Sequence, residues 1–160
     1  MTDSEKVQVF LSAANGRLGC VSLWGAKGPD TFDCSGLVSW SLLMAGFQSP
    51  SSAKGKKRWS ANLNWNAQRM ANDLPHFNDI RLARAGDLCF YGDSWDKVTH
   101  VTIFLGDEGC LSASGATSKV TSLERATQNK AARIRKHTQA RYRSDFLGWG
   151  SIRPYLEFIS

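Results

Sequence analysis

The chain has 160 residues, 42% of them hydrophobic and 21% charged, which suits a core of ordinary size and excludes a disordered or fibrous chain. Lysines and arginines number 20 against 14 aspartates and glutamates, a formal net charge of +6, so the surface attracts polyanions without chemical specificity. No apolar run approaches the length of a transmembrane helix, and no zinc-finger spacing, basic-region heptad or aromatic RNA-binding signature marks a specific nucleic-acid reader.

In chain order the first element is a helix. Ser4 suits an N-cap, and Val7, Phe10, Leu11 and Ala14 share one helical face, which predicts a helix to about Asn15 or Arg17. Met1 to Gly19 does not read as a signal peptide, because Asp3, Glu5 and Lys6 precede only a short, interrupted apolar stretch. Synthesis in the cytoplasm is the expectation. Gly25, Gly28 and Pro29 then mark a loop. After it, Leu37, Val38, Trp40, Leu42, Leu43 and Met44 are spaced as a largely buried helix with Gly46 as its stop. Cys34 falls where the loop becomes the first turn. Unpaired backbone N–H groups and the positive end of the helix dipole favour a thiolate there, and the same N–H groups can hold an oxyanion. An isolated cysteine is more often a small, inert core residue; this setting reverses the odds.

Gln48 to Ser60, with Lys54-Gly55-Lys56-Lys57-Arg58, reads as an exposed basic loop. Ser60 suits an N-cap for a helix through about Asn72 carrying Leu63, Trp65 or Ala67, and Met70. His76, after Pro75, reads as a surface histidine in a connection. Three strands follow, Ala85 to Gly92, His100 to Asp107 and Cys110 to Ser114. From Lys119 to Arg143 the chain turns basic, with Glu124 as its one acid, and Phe146 to Tyr155 reads as a last strand with an aromatic anchor. The cysteines Cys20, Cys34, Cys89 and Cys110 contain no Cys-x-x-Cys pair, which argues against a structural zinc, and reduced thiols are expected. No linker sets off a separate wall-binding domain, so residues 1–160 read as one domain.

A thiolate needs a base. His100, at the start of a core strand and facing the N-terminus of a buried helix, has the architecture of a Cys–His pair. The runs Phe32-Asp33-Cys34-Ser35-Gly36-Leu37, Ala85-Gly86-Asp87-Leu88 and His100-Val101-Thr102-Ile103-Phe104-Leu105-Gly106 together resemble the signature of the NlpC-type cell-wall cysteine endopeptidases, in that family's order and at compatible spacings. The resemblance implies a papain-like α+β fold, with the nucleophile on a helix packed against an antiparallel sheet. It implies hydrolysis of an amide bond in the stem peptide of peptidoglycan, commonly after D-glutamate, and neither metal nor organic cofactor. Two positions depart from the family pattern. Ser22 stands where the family often has a Tyr that supports the oxyanion site, and Ser112 where the residue orienting the His is often His, Asn or Gln.

The resulting reading is a single catalytic domain with Cys34 as nucleophile, His100 as general base and then acid, and Ser112 orienting His100. Asp33, Ser35, Ser22 and Trp24 are the candidate substrate contacts, the second oxyanion donor being left open. The partner is bacterial peptidoglycan, with anionic wall polymers attracted to the basic surface. A short basic chain without a leader suggests a phage endolysin, released from the cytoplasm onto the wall. An injected antibacterial toxin with the same chemistry, or a catalytically silent wall-binding module, are the alternatives.

Overall fold

The computed structural model describes residues 1–26, 28–46, 65–114, 122–128 and 132–158. The fold is α+β. Helix α1 spans Asp3–Asn15 and buries Val7, Phe10, Leu11 and Ala14, the face expected from their spacing. Its N-cap is Thr2 rather than Ser4. Thr2 Oγ1 accepts from the Glu5 N–H at 3.1 Å, and Glu5 Oε2 accepts from the Thr2 N–H at 3.0 Å. This reciprocal pair satisfies two backbone donors at once, which Ser4, with Val7 three residues on, has no side chain to match.

Two short strands, β1 (Val21–Ser22) and β2 (Thr31–Phe32), pair in parallel and flank the loop that leads into α2 (Cys34–Met44). Helix α2 is apolar on nearly every side: Leu37, Val38 and Leu42 are buried, as are Ser35, Ser39 and Ser41. A helix buried all round is a core helix, here packed on α1 and on the sheet. Gly46, at φ +83°, follows its end as expected.

The basic loop at 48–60 lies outside the described residues, as does the start expected for the next helix. Helix α3 spans Ala67–Asp73 and is capped by Asn66, extended at φ −80° and ψ 176°, whose side chain accepts from the Arg69 N–H at 2.9 Å; the expected Ser60 cap is among the residues not described. Trp65 therefore stands before the helix, its indole N–H donating to Asp73 at 2.7 Å.

The remaining strands are β3 (His76–Phe77), β4 (Leu88–Ser94), β5 (Lys97–Gly106), β6 (Gly109–Ser114), β7 (Arg133–His137) and β8 (Phe146–Gly150), with the short helix α4 (Leu123–Gln128) before β7. Their order in the sheet is β2-β1-β7-β6-β5-β4-β8-β3, and every neighbouring pair but β1–β2 is antiparallel. The three strands expected between Ala85 and Ser114 are thus present as β4, β5 and β6, but His100 is the fourth residue of β5 rather than its first. The last strand ends at Gly150, short of the expected Tyr155, and the chain turns into a 3-10 helix at Arg153–Phe158. Pro154 has no N–H to continue a ladder.

Alternation along β4 divides the interior. Leu88 and Phe90 join the core beneath α1, α2 and α3, while Cys89 and Tyr91 join a second cluster with Phe104, Cys110, Ala140 and Trp149. Among the described residues no helix is long and apolar enough to cross a membrane.

Candidate active site

Asp33 ends the loop and starts the helix. Extended at φ −88° and ψ −178°, it caps α2 by accepting from the Gly36 N–H, and it also accepts from Ser35 Oγ at 3.3 Å. Cys34 is thereby the first helical residue and half-buried. The positive end of the 11-residue helix α2 favours negative charge on its sulfur. The preceding loop is held by its own backbone: Leu23 N–H donates to Phe32 O at 2.9 Å, Gly28 N–H to Thr31 O at 2.8 Å and Asp33 N–H to Ala26 O at 2.7 Å. Gly28 sits at φ +90°, where a Cβ would meet the rings of Phe32 and Trp40 at 2.6 and 2.7 Å.

A cleft of about 650 Å³ brings Ser22, Trp24, Asp33, Cys34, Ser35 and His100 together. Ser22 is fully buried, and its hydroxyl has no hydrogen-bond partner among the described residues. Trp24 is 55% exposed. Ser112 is not in the cleft wall. It is buried behind His100, with Oγ 3.3 Å from His100 Nε2.

His100 is only 8% exposed, and its ring lies 5.3 Å from that of Tyr91. Burial, helped by the positive Arg143 and by His137 and opposed by Asp145, pulls its pKa down to about 3. The ring is therefore neutral at ordinary pH. The same Nε2 is 3.3 Å from Tyr142 Oη. Nε2 thus has two hydroxyls within reach, Ser112 Oγ and Tyr142 Oη.

Tyr142 belongs to a 3-10 turn, Ala140–Tyr142, pinned at its first residue: Tyr91 Oη donates to Ala140 O at 2.6 Å, and Ala140 N–H donates to Glu108 O at 2.6 Å. Tyr142 and Arg143 line the cleft beside His100. Arg143 pairs with Asp145 at 2.8 Å. Sequence reasoning passed over Tyr142, His137 and Ser114. Ser112 and Ser114, two apart on a strand, share a face, and that spacing was the available signal. Nothing local links Tyr142 to His100, since 42 residues separate them.

Two of the other thiols are poor nucleophiles. Cys89 and Cys110 are buried, and burial pushes both thiol pKa values up. Among the described residues no three His, Cys, Asp or Glu side chains are grouped to hold a metal.

The sequence pattern of the NlpC/P60 family matches residues 21–142. The peptidoglycan endopeptidase RipB of Mycobacterium tuberculosis is 32% identical over 130 residues, covering 73% of this chain and 47% of RipB. The chain spans less than half the length of the curated relatives it matches. Among solved structures, the P60 domain of an antigen from Mycobacterium avium subspecies paratuberculosis gives a TM-score of 0.63 at 20% identity, covering 93% of this chain and 95% of that one. RipD of M. tuberculosis, described as a non-catalytic NlpC/p60 domain protein adapted to peptidoglycan binding, gives 0.61 at 16% identity, with 91% and 95% covered. At such identities the structural likeness speaks for the fold alone. The family match, in contrast, runs from the strand that carries Ser22 to the turn that carries Tyr142 and so takes in Cys34, His100 and Ser112; the chain belongs to the NlpC/P60 family.

Proposed function

We propose that this chain is a peptidoglycan endopeptidase working by a Cys34–His100 thiol mechanism. The observation that carries the reading is the shared cleft: Cys34 at the N-terminus of α2 and His100, held from behind through Nε2, both face the same cavity. His100 Nδ1 takes the proton from Cys34 Sγ. A neutral imidazole can accept it, and the thiolate that forms alongside stabilises the resulting imidazolium against burial. The thiolate attacks the carbonyl carbon of a stem-peptide amide, commonly that of D-glutamate in the family. The oxyanion is held by the backbone N–H at Cys34 and by the Ser22 hydroxyl, a buried donor whose partner is then the substrate oxygen. His100 Nδ1–H protonates the departing amine as the C–N bond breaks, leaving a thioester on Cys34. Water, giving its proton to Nδ1, attacks the thioester; the C–S bond breaks, a carboxylic acid leaves, and the thiol is restored. Asp33 and Ser35 at the mouth of α2, with Trp24 on the rim, contact the stem peptide. Release from a phage-infected cell is the setting we favour.

One observation favours a second reading. Ser112 replaces the residue that usually orients the histidine, and RipD is a family member without catalysis, so a silent wall-binding module uses the same cleft. Mass spectrometry of purified peptidoglycan separates the two. Wild-type protein is expected to release stem-peptide fragments with a new amine and a new carboxyl terminus. Cys34→Ala is expected to release none while keeping its fold. Binding to the wall without any cleavage by the wild type would leave only the binding module.

A further inference from the structure

Next to His100 runs a row of hydroxyls that the thiol mechanism uses only at its first member, Ser112, the second, Ser114, being in the cleft wall. His100 Nε2 is 3.3 Å from Ser112 Oγ, Ser112 Oγ is hydrogen-bonded to Ser114 Oγ, and Ser114 Oγ is 3.5 Å from His137 Nε2. These residues come from β5, β6 and β7, three adjacent strands of the sheet. His137 is not in the cleft wall, and its ring stacks on Tyr142 at 3.8 Å and 4°. We propose that His137 is a positioning residue that sets the working tautomer of His100 through Ser112 and Ser114. The inference rests on the Cys34–His100 reading above.

The argument is one of hydrogen-bond direction. A hydroxyl both donates one proton and accepts, so Ser112 alone does not decide whether it takes a proton from His100 Nε2 or gives one. If it gives one, the proton of neutral His100 sits on Nδ1, and no lone pair faces Cys34. The row acquires a direction only from its end. A neutral His137 carrying its proton on Nδ1 has an acceptor at Nε2 and nothing to donate there. Ser114 O–H then donates to His137, Ser112 O–H to Ser114, and His100 Nε2–H to Ser112. Nδ1 of His100 is left bare. Burial and the neighbouring Arg135 keep the His137 pKa below its usual value, so the ring stays neutral, the condition for an acceptor at Nε2. The titratable and charged groups around His137 are Arg135 on its own strand, Cys110 opposite it on β6, His100 on β5, and Tyr142. Tyr142, its pKa raised by burial, stays protonated; its single O–H can donate to Ser112 or to Ser114, and its oxygen can accept from His100 Nε2–H, without reversing the row. An acceptor two hydroxyls away thus takes the place of a direct orienting side chain.

The test is imidazole nitrogen NMR of the full chain, followed by kinetics on a soluble stem peptide. In the wild type His100 is expected as the Nε2–H tautomer. His137→Phe keeps a ring to stack on Tyr142 but has no acceptor. It is expected to shift His100 toward Nδ1–H and to lower kcat roughly two- to tenfold with KM unchanged, the size of one lost neutral hydrogen bond. Ser114→Ala, which cuts the row in the middle, should shift the tautomer in the same direction. His137→Gln, whose side-chain carbonyl can accept from Ser114, should recover most of the loss. A wild-type His100 found as Nδ1–H, or a tautomer unmoved by both His137→Phe and Ser114→Ala, overturns the proposal. The NMR answer does not depend on turnover. A wild type that cleaves no peptidoglycan therefore counts against the thiol reading and leaves the relay to be judged on the tautomer alone.

Discussion

His100 is neutral because charging it would bury an unpaired cation, and that has a consequence for stability. In the unfolded chain a histidine takes up its proton near pH 6.5. The folded chain refuses it until about pH 3. Above pH 6.5 both states are neutral and the residue contributes nothing to pH dependence. Below it the unfolded state binds a proton that the native state does not, so stability falls as pH falls, by up to about 1.4 kcal/mol per pH unit. Asp87 works the other way. Burial raises its pKa, so it costs stability as pH rises through the acid range. The clean comparison is therefore between urea midpoints of the wild type and His100→Gln at pH 7.5, 5.5 and 4.5. The variant should lose less stability on acidification; parallel curves would mean that burial does not keep His100 neutral in the folded chain. At this scale the sequence pointed to Cys34 and His100, where chemistry and spacing coincide, and both line the same cleft. Tyr142 and His137 did not stand out, because Tyr142 reaches His100 across 42 residues of chain and His137 reaches it only through Ser112 and Ser114 on the strand between.

Helix α2 depends on Asp33 twice, as the cap of its first turn and as a wall of the cleft. These roles separate by substitution. Asp33→Ala leaves the Gly36 N–H without its acceptor and should cost roughly 0.5–2 kcal/mol, read as a lower urea midpoint. Asp33→Asn keeps an acceptor oxygen in the same place and should restore most of that stability. If Asp33 contacts the stem peptide through its charge, the Asn variant stays stable yet hydrolyses poorly. An Asn variant as active as wild type would confine Asp33 to capping. Long elements were legible for the reason that α2 was: an apolar run of sufficient length fixes type and burial together. The misses were at ends and in short pieces. Thr2 displaced Ser4 because a reciprocal cap outcompetes a single one, and the helix expected to carry Trp65 begins only at Ala67, after the Asn66 cap. The strands β1, β2 and β3, two residues each, are too short for any periodicity, and β7 was hidden in the basic stretch with only Ile134 and its flanks to betray it.

The sheet as a whole could not be read along the chain, since β8 inserts between β4 and β3 and β1 pairs with β7, contacts that only the folded chain makes. The charge of the whole molecule was readable from composition, and it yields a test of how the protein meets its substrate. With a net charge of +6, the chain should concentrate on an anionic wall through long-range attraction rather than through a few specific contacts. Salt shortens the reach of that attraction to about 10 Å at 0.1 M. Among the described residues Arg143 is the lysine or arginine in the cleft wall, and its pairing with Asp145 reduces what it can offer a distant polymer. The attraction should therefore reside in the surface and not in the catalytic step. Clearing of a peptidoglycan suspension that retains its anionic polymers is expected to slow steadily as salt is added, whereas cleavage of a small soluble stem peptide should change far less. Stripping the polymers from the wall should remove most of the difference. Equal salt sensitivity for the wall and for the small peptide would place the effect in the cleft and refute attraction to the wall as its cause.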